Sequence, residues 1–376
     1  MLNEILPDHV NPQTLIMKKF FLFFLFFDCI VFVVTSSAQS KIDSSQSSAD
    51  SKDLFESDDV LHIRLSGNIR DLMNDRSDNP QYHPLILSYN DNNGTLLSMQ
   101  AKTRGHFRRT MGNCTYPPLL LQFTKNDTLS SSIFSGQNKL KLVMPCRGDD
   151  YVVREWLVYK IYNLITPKSF RARLVSIELN DTKRKKITPP FYGILLEEEQ
   201  QMAQRNHCVL IKQQMRPEQT ESDAFLTMAV FEYMIGNTDW SVQYQNIKLL
   251  AADSNAVPIA VPYDFDHAGV VDAPYAKPAE ELQMSSVRER RYRGYCMPDM
   301  KVFDKTIAMY NNLRTGIYKL YTDCPLLDIK YVKATIQYFD EFYQTINNPV
   351  ALQKEFGYPC NKNGTGNVVI KGLKNE

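Results

Sequence analysis

The order of patterns in residues 235–269 constrains the fold of this chain more than any other feature. A helical pattern, apolar at three- and four-residue spacing, covers residues 224–234 and stops at Gly236. Two short strand patterns follow at residues 247–250 and 257–263, and turn-forming residues separate them. We therefore expect a helix, a loop and a hairpin in direct succession.

The loops of this stretch carry Asp239, Asn246, Asp264 and Asp266. Transfer of a phosphoryl group to a hydroxyl needs one carboxylate that takes or orients the hydroxyl proton. It also needs oxygen ligands that hold a divalent metal against the nucleotide phosphates. In this interpretation Asp239 is the catalytic base, Asn246 and Asp264 bind the metal, and Asp266 is a second candidate for the metal. A helix-ending turn and a solvated strand end also fit, because Asp and Asn are common turn residues.

The same stretch resembles the active-site region of the atypical kinase-like families that include the spore coat protein CotH and, more distantly, HipA. Those families carry a GN-x-D loop, an Asn shortly after it, and a strand that ends in a D-x-D or Y-D element. The stretch also resembles a group of secreted bacterial proteins that share the GNTDWS and PYDFD elements. The similarity extends loosely over residues 102–343, and the HRD and GxGxxG signatures of ordinary protein kinases are absent. The matching residues are Gly236, Asn237, Asp239, Asn246, Tyr263, Asp264 and Asp266.

The resemblance implies an α+β, two-lobed protein-kinase-like fold. A mainly β amino-terminal lobe with one helix would cover residues 60–200. A mainly α carboxy-terminal lobe with the active site would cover residues 201–358. The implied cofactors are ATP and Mg²⁺ or Mn²⁺, and the implied activity is transfer of the ATP γ-phosphoryl group to a hydroxyl of a protein or a glycan.

A sheet lysine and a helix acid are candidates for nucleotide binding. The strand pattern at residues 139–143 places Lys139 and Lys141 on one face. The helix pattern at residues 150–165 contains Glu155. Because kinases fix the nucleotide phosphates with such a pair, we predict that Lys141 pairs with Glu155, and that Lys139 is a second candidate. The alternative is that all three are surface charges.

Two arginine-rich segments are candidates for anion binding. In the first, Arg104, Arg108 and Arg109 surround Gly105. Guanidinium groups match phosphate oxygens, and glycine permits close approach of the backbone. We predict Arg104 as a phosphate ligand, whereas Arg108 and Arg109 fit an exposed basic strand and turn. The second segment, residues 285–294, would contact an acidic substrate or the phosphates, or else form a charged surface loop.

The amino terminus predicts export. A pair of lysines precedes an apolar run at residues 20–34, and small residues lead to a cleavage site after Ala38. Residues 1–38, with Met17 as an alternative start, therefore form a predicted signal peptide. The apolar run is short for a membrane anchor and is interrupted by an Asp. We expect a periplasmic, cell-surface or secreted protein without a stable membrane span after cleavage.

The two segments that flank the folded part predict little fixed structure. Residues 39–59 are rich in Ser and Asp and poor in apolar residues, which is typical of a disordered linker. The Gly- and Asn-rich residues 359–376 predict a flexible tail. The folded part is then expected to span residues 60–358.

Six of the seven cysteines follow the signal peptide, and an even number in an exported chain permits disulfides. Proximity in the sequence pairs Cys114 with Cys146 and Cys296 with Cys324, and other pairings fit the same count. The sequence contains no CxxC or HExxH metal pattern.

The formal net charge of +1 at pH 7 argues against a nucleic-acid partner. The leading hypothesis is an exported, metal-dependent atypical kinase whose acceptor is a protein or glycan of the cell envelope. Two other hypotheses remain open. One is an envelope pseudokinase that binds without transfer, and the other is adenylyl transfer on the same fold.

Overall fold

The computed structural model describes residues 53–89 and 94–362 of the chain. Within them, eight strands join in one large sheet and three strands form a small sheet. The large sheet contains β1 (Leu61–Gly67), β2 (His83–Tyr89), β3 (Leu96–Thr103), β4 (Leu119–Phe123), β5 (Lys139–Val143), β6 (Ala172–Asp181), β7 (Lys186–Ile187) and β8 (Phe191–Leu196). The small sheet contains β9 (Val209–Ile211), β10 (Ile247–Ala251) and β11 (Ile259–Pro262). The α-helices are α1 (Ile69–Asn74), α2 (Asp127–Ser130), α3 (Asp150–Ile165), α4 (Glu199–Arg205), α5 (Ser222–Ile235), α6 (Asp304–Thr322), α7 (Ile329–Ile346) and α8 (Pro349–Phe356).

The large sheet closes on itself. Its strands follow the order β1-β2-β3-β4-β5-β8-β6, and β6 returns to pair in parallel with β1, with Leu65 opposite Leu179. The other pairings in the ring are antiparallel. The two-residue strand β7 pairs with the end of β6 and is not part of the ring. Side chains that alternate along the strands form one apolar core, in which Leu65, Leu87, Leu121 and Leu142 have no exposed surface.

This closed sheet contradicts the two-lobed kinase-like fold that the resemblance implies. Residues 60–200 are not a mainly β lobe with one helix, because α1, α2 and α3 all lie there and the strands form a ring. Residues 201–358 do hold most of the long helices. The resemblance depends on loop residues such as Asp239 and Asp264, and loop residues do not determine which strands pair. Alternation shows which face of a strand is buried, but it does not reveal that β1 pairs with the distant β6.

The end of α5 places the two acidic loops side by side. The helix stops at Gly236, as predicted, and this residue has a left-handed conformation (φ +69°) that glycine adopts without a steric penalty. The Gly269 N–H donates to the Gly236 carbonyl at 3.0 Å, and the Val270 N–H donates to the Ile235 carbonyl at 2.9 Å. The loop after α5 is therefore hydrogen-bonded to the segment that follows the Asp pair.

The boundaries of the folded part differ from those predicted. The predicted signal peptide, linker residues 39–52 and tail residues 363–376 lie outside the described residues. The last linker residues are folded, because Leu54 and Phe55 are only 1% and 8% exposed. Within the described part of the chain, no helix has both the length and the apolar character needed to cross a membrane.

One predicted disulfide is confirmed and the other is wrong. Cys114 is bonded to Cys146, across 32 residues. Cys296 is bonded to Cys360 and not to Cys324, so the predicted tail is tied to the fold at its beginning. Among the cysteines that the structure describes, Cys324 and Cys208 are free. Proximity in sequence is a weak guide to pairing, since the correct partner of Cys296 is 64 residues away.

Candidate functional site

One cavity of about 270 Å³ collects most of the residues that the sequence singles out. Its walls come from the loop after β3, the ends of β5 and β8, helix α3, and the loops that follow α5 and β11. Lys139 and Glu155 are not in its lining. The predicted site residues that do line it are Arg104, Lys141, Asp239, Asn246, Asp264 and Asp266.

The loop after α5 fixes the Asp239 carboxylate. The Asn237 side chain accepts a hydrogen bond from the Asp239 N–H at 3.0 Å, which forms a turn directly after the helix. Gln245 Nε2 donates to one carboxylate oxygen of Asp239, and Asn246 Nδ2 donates to the other at 3.2 Å. Burial raises the pKa of Asp239, and the nearby His267 acts in the opposite direction. A raised pKa suits a carboxylate that accepts a proton near neutral pH.

Asn246 and Asp264 stand at the open end of the β10–β11 hairpin. Asn246 precedes β10 and Asp264 lies shortly after β11, and both have left-handed backbone conformations (φ +56° and +66°). The Tyr263 N–H donates to the Asn246 carbonyl at 3.0 Å, so the hairpin continues to the two site residues. The Asp264 N–H donates to Tyr159 Oη on α3 at 2.9 Å. Such backbone conformations at non-glycine residues cluster at functional sites.

The Asn246–Asp264 pair fits a divalent metal. The Asp264 side chain is 45% exposed. Asn246 uses its Nδ2 group for hydrogen bonds, and its Oδ1 atom has no hydrogen-bond partner within the described residues. Both groups are hard oxygen donors, and Mg²⁺ at nucleotide sites is commonly held by one or two of them together with phosphates. In the described ranges, no group of three or more His, Cys, Asp or Glu side chains is arranged to hold a metal ion.

Asp266 is engaged by Arg108 and is less open than Asp264. Arg108 Nε donates to Asp266 Oδ2 at 2.9 Å, and Arg108 Nη2 contacts the same oxygen. Burial acts in the opposite direction, but Arg108 and His267 hold the pKa of Asp266 below its usual value. The Asp266 side chain is only 8% exposed. Of the two predicted metal-binding aspartates, Asp264 is therefore the better placed.

Glu155 does not pair with Lys141 as predicted. It lies on a buried face of α3, with 2% of its surface exposed, and its carboxylate contacts Arg108 Nη2 at 3.5 Å. Burial raises the pKa of Glu155, and Arg108 opposes this shift. The loop after β3 brings a guanidinium to the position where a sheet lysine was expected.

Lys141 and Arg104 supply positive charge to the cavity. Lys141 Nζ lies 5.0 Å from the centre of the Tyr263 ring, and within the described residues it has no salt-bridge or hydrogen-bond partner. Burial lowers the pKa of Lys141 to about 8, Arg104 acts in the same direction, and Glu199 opposes it. An ammonium group in this situation gains from an anionic ligand. Lys139 is exposed on β5, outside the cavity lining.

Arg108 and His267 line the cavity although neither was among the predicted site residues. Arg108 was expected on an exposed turn, but it is only 8% exposed. Its partner Asp266 is 158 residues away in the chain, so no local pattern reveals the contact. His267 is 6% exposed, and its Nδ1 atom has no hydrogen-bond partner in the part of the chain described. The only sequence signal for His267 is its place next to Asp266.

Three of the arginines of residues 285–294 bind backbone carbonyls in or next to the site loops, and none of the segment's arginines is in the cavity lining. Arg288 Nη1 donates to the Gly269 carbonyl at 3.2 Å, and Arg290 Nε donates to the carbonyl of Met234 at 3.2 Å. Arg293 Nη1 donates to the carbonyls of Thr238, at 2.6 Å, and Trp240. The carbonyls of Thr238 and Trp240 lie directly before and after Asp239 in the chain. The segment therefore supports the acidic loops and is not simply an exposed charged loop. Its contact with an acidic substrate stays a prediction.

The cavity combines carboxylate and amide oxygens that fit a metal with cationic groups that fit phosphates. Comparison with protein-family models gives no match for this chain, and comparison with curated proteins gives no significant match. The side chains of the cavity therefore provide the basis for assigning a function.

Proposed function

We propose that this cavity binds ATP together with Mg²⁺ or Mn²⁺ and transfers the γ-phosphoryl group to a hydroxyl of a protein or a glycan. The observation that carries the proposal is the presence of both kinds of charge in one cavity. Lys141 and Arg104 match the phosphates, and Asp239 and Asp264 match the acceptor and the metal. Phosphoryl transfer depends mainly on positioning and charge neutralisation, which such a cavity supplies.

The chain offers separate groups for the metal and for the phosphates. Asp264 and Asn246 Oδ1 would hold the metal, which neutralises charge on the phosphates when it is bound. Lys141 would bind phosphate oxygens as a point charge, and Arg104 would bind them through its planar fork. Apolar side chains of the same cavity would accommodate the rest of the nucleotide, and these are Pro118, Val143, Leu196 and Tyr263.

Asp239 would orient the acceptor hydroxyl and take its proton. As the acceptor oxygen forms a bond to the γ-phosphorus, the bond from that phosphorus to the β–γ bridging oxygen breaks, and ADP leaves with the electron pair. The hydrogen bonds from Gln245 and Asn246 hold the Asp239 carboxylate in place for this role. The raised pKa of Asp239 supports the assignment.

The resemblance to CotH-like and HipA-like families supports the proposal through the site and not through the fold. Asp239, Asn246, Tyr263 and Asp264 carry the resemblance, and all four line the cavity. The closed sheet departs from the fold of those families. Since function depends on the site more than on the scaffold, this departure leaves the proposed chemistry intact.

We also propose that the protein acts outside the cytoplasm on an acceptor in the cell envelope. The disulfides Cys114–Cys146 and Cys296–Cys360 support this location, because disulfides persist in oxidising compartments. The signal-peptide pattern at residues 1–38 points in the same direction.

Labelled ATP tests the proposed reaction. We would incubate the mature protein with cell-envelope extract, Mn²⁺, and ATP labelled in either the γ- or the α-phosphate. We expect transfer of the γ-label, and its loss in Asp239→Asn. The matched control is Asp253→Asn, an exposed aspartate in the turn between β10 and β11. Transfer of the α-label would contradict phosphoryl transfer and indicate adenylyl transfer, and transfer of neither label would indicate a binding module.

A further inference from the structure

Three carboxylates converge on the guanidinium of Arg108. Arg108 Nη2 contacts Glu155, Asp264 and Asp266. In the described part of the chain, Arg108 is the only cation in salt-bridge contact with any of these three groups, which we call the acidic cluster. Arg108 itself lines the cavity, so this contact lies at the site proposed for the metal and the nucleotide.

The three contacts are unequal. Arg108 Nε lies 2.9 Å from Asp266, whereas Arg108 Nη2 lies 3.5 Å from both Glu155 and Asp264. Asp266 is therefore a firm partner, and the other two are held at the limit of hydrogen-bonding distance. Asp264 is also the most exposed member of the acidic cluster, with 45% of its side chain accessible. It is the member that a metal reaches most easily.

The acidic cluster has more negative charge than Arg108 neutralises. When Asp264 and Asp266 are both ionised, these two aspartates alone carry one more negative charge than the Arg108 guanidinium supplies, a situation that is costly in a buried site. Two further buried polar atoms, Glu155 Oε1 and His267 Nδ1, have no hydrogen-bond partner within the described residues. Without Arg108, the same groups would attract a divalent cation strongly, because charges at such short distance interact strongly when they are shielded from water.

We propose that Arg108 is an internal counterion that keeps free divalent cations out of the acidic cluster, so that the metal enters together with the nucleotide. The guanidinium takes the place of a cation in the free protein. A metal that arrives alone gains only Asp264, which Arg108 holds weakly, and Asn246 Oδ1, and it must act against the charge of Arg108. A metal that arrives on a triphosphate brings ligands of its own and anionic oxygens that Arg108 also favours.

This inference deepens the proposed function. The part that says the metal enters with the nucleotide rests on that function. Exclusion of the free metal follows from the contacts of Arg108 alone. It can therefore be measured without ATP, without an acceptor and without catalytic activity.

The experiment measures Mn²⁺ binding to the mature protein in the absence of nucleotide, from the electron paramagnetic resonance signal of free Mn²⁺. We expect weak binding by the wild-type protein and at least about tenfold tighter binding by Arg108→Gln, because the nearest positive charge is gone. The matched control is Arg104→Gln, which also removes an arginine from the cavity. In the described residues Arg104 forms no salt bridge, so its loss should tighten Mn²⁺ binding less than about threefold, through weaker charge effects at longer range.

A second variant protects the test against misfolding. In Arg108→Gln the buried Glu155 loses the one cationic contact that it makes among the described residues, so folding would be checked by circular dichroism. The double variant Arg108→Gln/Glu155→Gln contains no unpaired buried glutamate, and among the described residues it leaves Asp264 and Asp266 without a salt-bridge partner. It should show the same gain in Mn²⁺ affinity.

Two results would overturn the proposal. Mn²⁺ binding that is unchanged or weaker in both Arg108 variants would mean that Arg108 organises the carboxylates for the metal. An equal gain in Arg104→Gln would mean that general charge, and not the contact, controls metal entry. Addition of ATP to the wild-type protein separates the two proposals, with protein-bound Mn²⁺ measured after the protein is separated from free Mn²⁺–ATP. If ATP does not increase the Mn²⁺ bound to the protein, the proposed function fails while the exclusion of free metal by Arg108 stands on its own result.

Discussion

The hydroxyl of Tyr338 occupies the space that a side chain on Gly236 would need: a Cβ atom at Gly236 would lie 2.1 Å from Tyr338 Oη. A Cβ atom at Gly269 would lie 2.8 Å from the same oxygen. Gly236 begins the loop of Asp239, and Gly269 follows Asp266, so both acidic loops pack against one tyrosine of α7. The guanidinium of Arg290 lies 3.4 Å from the centre of the Tyr338 ring and helps to fix the ring in place.

Because of this contact, we expect Tyr338→Phe to recover stability lost in Gly236→Ala but not stability lost in Gly269→Ala. Gly236→Ala should lower the free energy of unfolding by about 2–4 kcal/mol, because it combines a left-handed backbone with a steric clash. Adding Tyr338→Phe should recover part of that loss by removing the hydroxyl. Gly269→Ala is the control, since its Cβ atom would lie 2.3 Å from the Val287 carbonyl, and Tyr338→Phe should not rescue it. Urea denaturation measures these values, and equal rescue at both glycines would refute the packing described.

Lys141→Met should stabilise the free protein at pH 7 by about 1–3 kcal/mol, because it removes a buried ammonium that has no counterion among the described residues. The pKa of Lys141 is about 8 in the folded protein, below its ordinary value of 10.5. Between these two values the unfolded chain binds more protons, so the stability of the wild-type protein should rise with pH there. The advantage of the variant is therefore largest below pH 8 and disappears above pH 10.5.

Urea denaturation at several pH values measures this difference. Lys139→Met is the matched control, because Lys139 lies on the same strand and is exposed. We expect no stabilisation from it at any pH. A destabilised Lys141→Met protein at pH 7 would show that the ammonium group has a partner in the free protein.

Arg293→Lys should slow turnover while nucleotide binding is kept. A single ammonium cannot bind the carbonyls of Thr238 and Trp240 in the geometry that the guanidinium provides. We expect kcat to fall about tenfold or more, with little change in KM for ATP, because Asp239 is misplaced and the phosphate ligands are untouched. Arg291→Lys is the control, since Arg291 binds the Leu282 carbonyl and Tyr358 instead. A rise in KM with kcat unchanged would contradict the positioning role of Arg293.

The disulfide between Cys296 and Cys360 should stabilise the fold by about 2–4 kcal/mol, because it closes a long loop in the unfolded chain. Cys360→Ser should remove this contribution. Cys324→Ser should have a much smaller effect, because Cys324 is free. Thermal unfolding in non-reducing buffer compares the two variants. A large loss in Cys324→Ser alone would instead favour the pairing of Cys296 with Cys324.

The sequence predicted the local structure around the site well. The helix that ends at Gly236 is observed as α5, and the two strand patterns that follow are observed as β10 and β11. Six of the eight predicted site residues line one cavity. These features depend on short stretches of chain, in which apolar spacing, glycine and turn residues report directly on the backbone.

The features that the sequence did not predict are contacts between distant parts of the chain. The closure of the large sheet needs β1 beside β6, and the charge of Arg108 is balanced by Asp266. Apolar alternation in β1 is the same whichever strand is its partner. Glu155 illustrates the same limit, because the helix pattern placed it in α3 but predicted neither its burial nor its cationic partner.

Binding of ATP in the presence of Mn²⁺, measured as a shift in the melting temperature of the mature protein, tests the central claim most directly. A ligand that binds only the folded state raises its stability, by about 2.7 kcal/mol at a hundredfold excess over its Kd. We expect a rise of several degrees for the wild-type protein and for Asp253→Asn, and no rise for Asp264→Asn. The absence of a shift in the wild-type protein at millimolar ATP, with either Mn²⁺ or Mg²⁺, would contradict the assignment of the cavity as a nucleotide site.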